Sequence, residues 1–370
     1  MKPLVQLAVL VLVCVAGRTL AHHSFAIYDA DNPLKLTGVV TEFRWINPHS
    51  WVFLRVEDAN GGERVWEIEH GPINMLSRQG WTRTTLEPGD RITVDVHPAH
   101  DGKAIARFIG FEFVDAAQGR GGAGDYTRGT ITRVPRPEPV AMTDAVARDF
   151  NGIWVNANGG IHFDSDAPSR GEQNPPLRPE YMARWRQRFA DAEAGLSTAD
   201  PTAACLPAGF PRFLNMVFPG EILQAEHQMN WYAEFGEATL RIYLDGRSAP
   251  PDLQPSYYGF TTGSWQGNTL VTRTIGLRGD TLIDTSGVPH SDQLTVTMRL
   301  SKVTPDFLEV DVTLDDPVAF ERPWSTIKRY ARAPAHYYVQ EYACFEGNRY
   351  RVGAGGNIEV VTDEDGPPRP

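Results

Sequence analysis

The chain has 370 residues, 41% of them hydrophobic and 22% charged, and its formal net charge at pH 7 is −11. This length suffices for two domains, and the acidic balance favours solubility while saying little about a partner. Because no stretch is rich in lysine and arginine, the sequence predicts no nucleic-acid partner.

The first 21 residues have the pattern of a secretory signal peptide. Lys2 precedes an apolar run, 4–16, that is too short to span a membrane, and the run is followed by Thr19-Leu20-Ala21. We predict cleavage after Ala21 and a periplasmic or secreted protein. A lipoprotein anchored at Cys14 is less favoured, because a bulky Val13 precedes that cysteine. No later segment approaches the length of a transmembrane helix, so we predict no membrane span.

Residues 22–115 have the alternation and the turns of a small β-domain. Five segments alternate between polar and apolar residues, and residues 73–81 between the third and fourth segments suit one short helix. This order predicts an OB-like barrel. The five predicted strands lie within 34–46, 50–58, 64–70, 90–99 and 104–114.

The remainder of the chain divides into a linker, a second β-domain and a tail. Residues 116–148 are rich in glycine and then in proline, which predicts a linker. Residues 149–352 contain one amphipathic helix, 179–195, followed by a meander of strands, which predicts a lipocalin-like antiparallel β-barrel. Residues 353–370 are predicted to be disordered. The predicted fold class is therefore mainly β, with a small barrel followed by a larger one.

Two cysteines remain after the predicted cleavage, Cys205 and Cys344. In an exported protein, two distant cysteines most simply form one disulfide, and two buried free thiols are the alternative. The chain-entropy model gives a loop of about 140 residues a stabilisation of up to about 5 kcal/mol.

The first domain resembles a family of small exported bacterial proteins of unknown function, the DUF6152 type. The resemblance rests on the segments "AHHSF", "TGVVTEFRWINPHSW", "WEIEHGP", "LSRQGWTRTTLEPGD" and "DGKAIA". It implies an exported module and carries no activity.

The second domain resembles a large, poorly characterised family of bacterial exported proteins, through blocks such as "CLPAGFPR", "RIYLDGR", "GSWQGNTLV", "GVPHSD" and "YACFEGN". This resemblance independently implies a pairing of the two cysteines. Members usually carry histidine at the position of Phe260 and glutamate at that of Met298, which implies a lost or altered polar site here.

The opening of the second domain is also similar to that of lipocalin-type barrels. Those barrels begin with Gly-x-Trp, which Gly152 and Trp154 match, and a late arginine packs over the tryptophan. Arg329 and Arg332 are the two candidates for such a cation–π contact.

Histidines near the predicted mature terminus form the first candidate site. After cleavage, His22 carries a free amine, and amine and imidazole nitrogens suit copper or zinc. His23 and His49 complete the predicted ligand set, and His70 is a further candidate. The alternative is structural, with His22 and His23 capping a turn and His49 bonding locally after Pro48.

The second candidate site is His290 with Asp292 in "GVPHSDQL". A histidine beside a carboxylate can perform general acid–base chemistry. The favoured alternative is a turn and strand cap, because serine and aspartate bond backbone amides readily and adjacent strand residues face opposite sides.

The third candidate site is a ligand cavity in the larger barrel. Its predicted lining is Arg241, Asp245, Tyr258, Trp265 and Trp324, and the alternative is a barrel filled by its own side chains. The sequence therefore favours a protein that binds a small apolar or amphipathic ligand. A cofactor-independent lyase, isomerase or hydrolase using His290, and a copper- or zinc-handling protein, are the alternatives. No P-loop, dinucleotide fingerprint or nucleophile elbow is present.

Overall fold

The computed structural model describes residues 27–57, 61–114, 124–125, 133–158, 162–167, 172–194, 196, 200–352 and 358–363. These residues form two closed β-barrels, a small one followed by a larger one, with few helices. The predicted fold class is confirmed at this level. Within the described residues, none of the helices combines the length and the apolar character needed to cross a membrane.

The small barrel has five strands and closes through one parallel pair. Strand β3 pairs with β5 in parallel, and the other neighbours are antiparallel in the cyclic order β1-β2-β3-β5-β4. Helix α1 connects β3 to β4, where the sequence predicted a helix. The elements are β1 (Leu34–Arg44), β2 (Trp51–Glu57), β3 (Glu63–Glu69), α1 (Ile73–Arg78), β4 (Arg91–Pro98) and β5 (Ile105–Phe113). A two-residue strand, β6 (Gly124–Asp125), adds to β5.

Both faces of strand β2 are buried. Val52 and Leu54 point into the barrel core, while Trp51 and Phe53 belong to a second cluster on the outer side. Successive strand residues face opposite sides, so a run of four buried residues means that something covers the outside of the barrel. That cover comes from the end of the chain, through Tyr350, Ile358 and Val360.

The larger barrel has nine strands. Its strands are closed in the order β10-β11-β12-β13-β14-β15-β7-β8-β9, and all neighbours are antiparallel except β10 and β11. The strands are β7 (Gly152–Asn156), β8 (Gly220–Gln224), β9 (Gln228–Ala233), β10 (Ala238–Tyr243), β11 (Phe260–Gln266), β12 (Thr269–Ile275), β13 (Thr295–Thr304), β14 (Phe307–Asp315) and β15 (Trp324–Arg332). Helix α3 (Pro179–Glu193) packs Tyr181 and Trp185 onto the barrel core, as its periodicity predicted.

Residues from loops fill part of the larger barrel. Phe163, Phe213 and Leu214 lie outside the strands and belong to the same core as the inward-facing strand residues. The Tyr330 hydroxyl donates a hydrogen bond to the Leu214 carbonyl at 2.8 Å, which holds one inserted loop in place.

Arg332 is the arginine that packs on Trp154. Its guanidinium carbon lies 4.6 Å from the centroid of the indole, which confirms the predicted contact and selects between the two candidates. Arg329 instead bonds Glu309 at 3.1 Å.

The segment 133–148, predicted as linker, lies along the larger barrel. Val140 N donates to Val303 O, and helix α2 (Asp144–Arg148) buries Ala147. Residues 116–123 and 126–132 of that prediction lie outside the described residues.

The end of the chain returns to the small barrel. Cys344 is bonded to Cys205 with their Cα atoms 5.7 Å apart, so the predicted disulfide is confirmed. Beyond it, β16 (Tyr350–Val352) and β17 (Ile358–Val360) form a hairpin. Of the predicted disordered tail, 353–370, residues 358–363 are described and contain β17. Ile358 and Val360 are buried on the small barrel, and this contact was invisible in a locally polar sequence.

Candidate functional site

Glu69, the last residue of β3, is the centre of a buried polar cluster. Its side chain is 1% exposed, and its Oε2 accepts hydrogen bonds from the hydroxyls of Tyr28 and Tyr350 at 2.5 Å each. Its Oε1 lies 2.7 Å from Nδ1 of His49. The cluster thus joins the start of the described chain, two edges of the small barrel and the C-terminal hairpin.

The pairing of β2 with β3 brings His49 to Glu69. Trp51 and Glu69 are register partners, and the ladder continues beyond them because His70 N donates to Ser50 O and Ser50 N donates to Gly71 O. His49 therefore leaves the sheet beside the carboxylate. The sequence predicted His49 as a site residue but missed Glu69 and both tyrosines.

The carboxyl group of Glu69 is held in its ionised form. Burial alone would raise its pKa, but the nearby His49 and the two tyrosine hydroxyls outweigh burial, so the pKa lies below its usual value. Burial, followed by the charge of Glu69, raises the pKa of both Tyr28 and Tyr350. The tyrosines therefore act as donors to a permanent acceptor.

His49 presents one ring nitrogen away from the cluster. Its side chain is 20% exposed, its ring meets that of Tyr350 edge-on at 5.6 Å, and Nε2 has no bonding partner among the described residues. Nδ1 is within bonding distance of Glu69, although the ring is turned from ideal hydrogen-bond geometry. In the tautomer that carries its proton on Nδ1, Nε2 has a lone pair that can bind a metal ion.

The other predicted metal ligands, His22 and His23, lie outside the described residues. Tyr28 follows His23 by five residues, a length of chain that spans at most about 17 Å. Sequence reasoning overlooked His100, whose backbone N donates to Ile27 O at 3.0 Å and whose side chain is exposed. Among the described residues alone, no group of three or more His, Cys, Asp or Glu side chains is arranged to hold a metal ion.

His70 is a core residue of the small barrel. Its ring stacks on Phe108 with centroids 4.1 Å apart, and its Nδ1 accepts a hydrogen bond from Gly71 N at 2.8 Å. Burial, assisted by the charge of Arg107, lowers its pKa to about 3. His70 follows Glu69 directly and faces the opposite side of the sheet. His70 is therefore not part of the polar cluster around Glu69.

Residues 9–107 match a family of unknown function, DUF6152. The match confirms the resemblance predicted for the first domain. It includes Tyr28, His49 and Glu69 but not Tyr350. No curated protein matches the chain. The resemblance predicted for the second domain stays a prediction.

In the larger barrel, His290 and Asp292 are not brought together. His290 is buried, with Nε2 2.8 Å from Thr281 Oγ1 and Nδ1 2.8 Å from Ser291 O, and burial lowers its pKa. Asp292 is exposed. The carboxylate that bonds this turn is Asp316, which accepts from the amide and the hydroxyl of Ser291 at 2.7 Å each.

The five residues predicted to line a ligand cavity do not share one site. Arg241 is exposed on β10, and Asp245 bonds Arg247 in a turn. The three aromatic residues touch the barrel core at separate places, where Tyr258 meets Phe213, Trp265 stacks on Phe150, and Trp324 packs on Phe163.

The two departures from the family pattern also lie apart. Phe260 stacks on Tyr243 with centroids 5.0 Å apart. Met298 is buried in the core opposite Thr272, whose Oγ1 is buried without a hydrogen-bond partner.

Lys328 is a buried charged residue that sequence reasoning missed. Its Nζ donates to the carbonyls of His162 and Phe163 at 2.8 and 2.7 Å, and burial lowers its pKa to about 7 against the attraction of Asp284. Asp284 in turn accepts from Phe163 N. The sequence did contain an indication of this burial. Lys328 is an even number of residues from Trp324 and Tyr330 on β15, so it faces the same side, and all three are buried.

Proposed function

We propose that this is an exported metal-binding protein whose small barrel holds a copper or zinc ion through Nε2 of His49. One observation carries the proposal: Nδ1 of His49 lies 2.7 Å from a fully buried carboxylate while the side chain stays partly exposed. Metal-binding histidines almost always direct their second ring nitrogen to a carboxylate or carbonyl, which fixes the ring and raises its basicity. Imidazole nitrogen suits copper and zinc in particular.

The remaining ligands in this proposal are those that the sequence predicts. Cleavage after Ala21 gives His22 an amine and a ring nitrogen, and His23 adds another ring. Tyr28, which bonds Glu69, follows His22 by six residues and His23 by five. Six residues of chain span at most about 20 Å, and this limit supports the proposal. The signal-like start and the disulfide between Cys205 and Cys344 support export to the periplasm or beyond.

A copper titration of the cleaved protein tests the proposal. Intact mass fixes the N-terminus, calorimetry measures the affinity, and EPR reports nitrogen ligation of Cu(II). We expect one ion per chain and a loss of at least 100-fold in affinity for His49→Ala and for His22→Ala. Glu69→Gln should weaken binding by 10- to 100-fold, because it acts through the orientation of the ring.

His227→Ala is the matched control, since His227 is an exposed histidine of the larger barrel. Its affinity should equal that of the unmodified protein. The proposal would be contradicted if His49→Ala bound copper as tightly as the unmodified protein. It would also be contradicted if the unmodified protein bound no more copper than a protein without histidines.

A second candidate function concerns the larger barrel, for which we propose binding of a small apolar or amphipathic molecule. The buried, unpartnered hydroxyl of Thr272 favours it, because a ligand acceptor would satisfy that group. The Trp154–Arg332 contact supports a lipocalin-like barrel, the class that often holds such ligands. In titrations with a series of fatty alcohols, Thr272→Val should bind more weakly than the unmodified protein. Equal affinity of the two proteins, or no binding to the unmodified protein, would contradict this candidate. An enzyme using His290 has less support, since both ring nitrogens are engaged.

A further inference from the structure

The outer side of the small barrel carries what we call the aromatic–acidic face. It consists of Trp51 and Phe53 on β2 with Glu67 and Glu69 on β3, and the register pairs Trp51 with Glu69 and Phe53 with Glu67. All four side chains therefore point to the same side. The barrel core lies on the other side and is built from a separate set of apolar residues.

The C-terminal segment, described at residues 348–352 and 358–363, fills this face with an arginine followed by a tyrosine. The Arg349 guanidinium lies 4.4 Å from the Trp51 ring centroid and 5.8 Å from that of Phe53, and it forms a buried ion pair with Glu67. Tyr350 donates its hydroxyl to Glu69. An arginine enclosed by aromatic rings and a carboxylate, away from water, is typical of the few residues that dominate a recognition interface.

The C-terminal segment binds as a ligand does and does not extend the sheet. Among the described strands, β16 and β17 pair only with each other. The contacts with the barrel come mainly from side chains. The core of the small barrel is built from residues other than the four of the aromatic–acidic face.

The fit of this intramolecular ligand is incomplete. Nε1 of Trp51 and Nη1 of Arg349 are both buried without a hydrogen-bond partner. An unmet buried donor is unfavourable, and a buried ion pair contributes specificity more readily than stability. A peptide that offered an acceptor to Nε1 of Trp51, and whose own arginine had every donor bonded, would therefore bind the face better than the present occupant.

We propose that the aromatic–acidic face is a peptide-recognition surface for an extended partner segment carrying arginine followed by tyrosine, and that Arg349 and Tyr350 of the C-terminal segment occupy it intramolecularly. The proposal goes beyond metal binding and does not depend on it. Because the occupant is tethered, its effective concentration is in the millimolar range, and a partner must compete with it.

The test uses the full chain with the face vacated by the paired substitutions Arg349→Ala and Tyr350→Phe. A labelled synthetic peptide of residues 347–363 is added, and fluorescence anisotropy measures its binding. We expect micromolar affinity for the vacated chain and at least 100-fold weaker binding to the unmodified chain, where the tethered segment competes. A peptide carrying Arg349→Lys should bind at least 10-fold more weakly, because lysine lacks the planar fork and stacks poorly.

Substitutions on the barrel identify the surface. Glu67→Gln, added to the vacated chain, should weaken peptide binding at least 10-fold, while Glu63→Gln, an exposed position on β3, should leave it unchanged. If the vacated chain fails to fold, Arg349→Lys alone replaces it, and it should bind the native peptide more tightly than the unmodified chain does.

Equal binding of the native and lysine peptides, or no binding to a folded vacated chain, would overturn the proposal. Copper affinity measured on the unmodified chain and on Arg349→Lys, which leave Tyr350 and Glu69 in place, keeps the two proposals apart. Failure of peptide binding with copper binding intact removes only the peptide surface, and the reverse result removes only the metal site.

Discussion

The two barrels bury their polar groups in different places. The larger barrel places Lys328, Asp284 and Asp316 inside or at its ends, and each of them bonds backbone groups of a segment that folds over the barrel. The small barrel places the buried carboxylates of Glu67 and Glu69 on its outer side, away from its hydrophobic core cluster.

This difference distinguishes polar groups that stabilise the fold from polar groups that can still bind a ligand. In the larger barrel, the hydrogen bonds of His290, Asp316 and Lys328 fix loops. In the small barrel, the buried carboxylate of Glu69 supports a histidine that keeps one nitrogen open. Substitutions in the larger barrel should therefore reduce stability, whereas those around Glu69 should chiefly change binding.

The largest effect is expected for Asp316→Ala. Its buried carboxylate accepts four hydrogen bonds, from the amides of Ser291, Val318 and Ala319 and from the Ser291 hydroxyl. Loss of these acceptors should lower the free energy of unfolding by about 3–5 kcal/mol, measured by urea denaturation. The exposed neighbour gives the control: Asp292→Ala should change it by less than about 0.5 kcal/mol. Equal effects would break the distinction between the two aspartates.

Lys328 should give the larger barrel a specific pH dependence. The pKa of the folded residue is about 7, below the 10.5 of an exposed lysine, so between these values the unfolded chain binds one more proton. Stability should therefore rise with pH across this window, with a slope approaching about 1.4 kcal/mol per pH unit, and should fall as the solution is acidified. Lys328→Met should remove this slope, whereas Lys35→Met, at an exposed position, should retain it. Identical slopes in urea titrations at pH 7 to 10 would refute this assignment.

The smallest effect is expected for Arg332→Ala. The substitution removes the contact with Trp154 and an exposed ion pair with Asp306, and together these should contribute about 1–2 kcal/mol. Tryptophan emission should shift, because Trp154 loses its cover. Arg329→Ala should leave the emission unchanged, and a shift in both variants would show that the two arginines are not distinct.

Much of the architecture was predictable because residues close together in the sequence determine it. The alternation of residues in β1 to β5 marks each strand, and helix α1 lies where the pattern changes between the third and fourth. Strand β17 was not predictable from its own residues. Ile358 and Val360 become buried only by packing against Trp51 and Phe53, which are distant in sequence. The sequence of β2 contained a hint, because four consecutive apolar residues require cover on both faces.

The site was predictable only in part. His49 stood out as a possible ligand, but the two-residue period of β3 decides that Glu69 faces it while His70 faces the core. A shift of one residue reverses that choice, and the sequence does not fix the phase at the end of a strand. Tyr350 contributes to the same carboxylate from 281 residues away, a separation that no local pattern reports.

The hydrogen bond between Tyr350 and Glu69 joins residues that are synthesised at different times. The two residues are 281 positions apart, and a chain grows at about 5–20 residues per second, so roughly 15–60 s pass between their additions. All residues of the small barrel are therefore synthesised well before the segment that covers it. A barrel that folds in this interval presents the aromatic–acidic face to a partner without a tethered competitor.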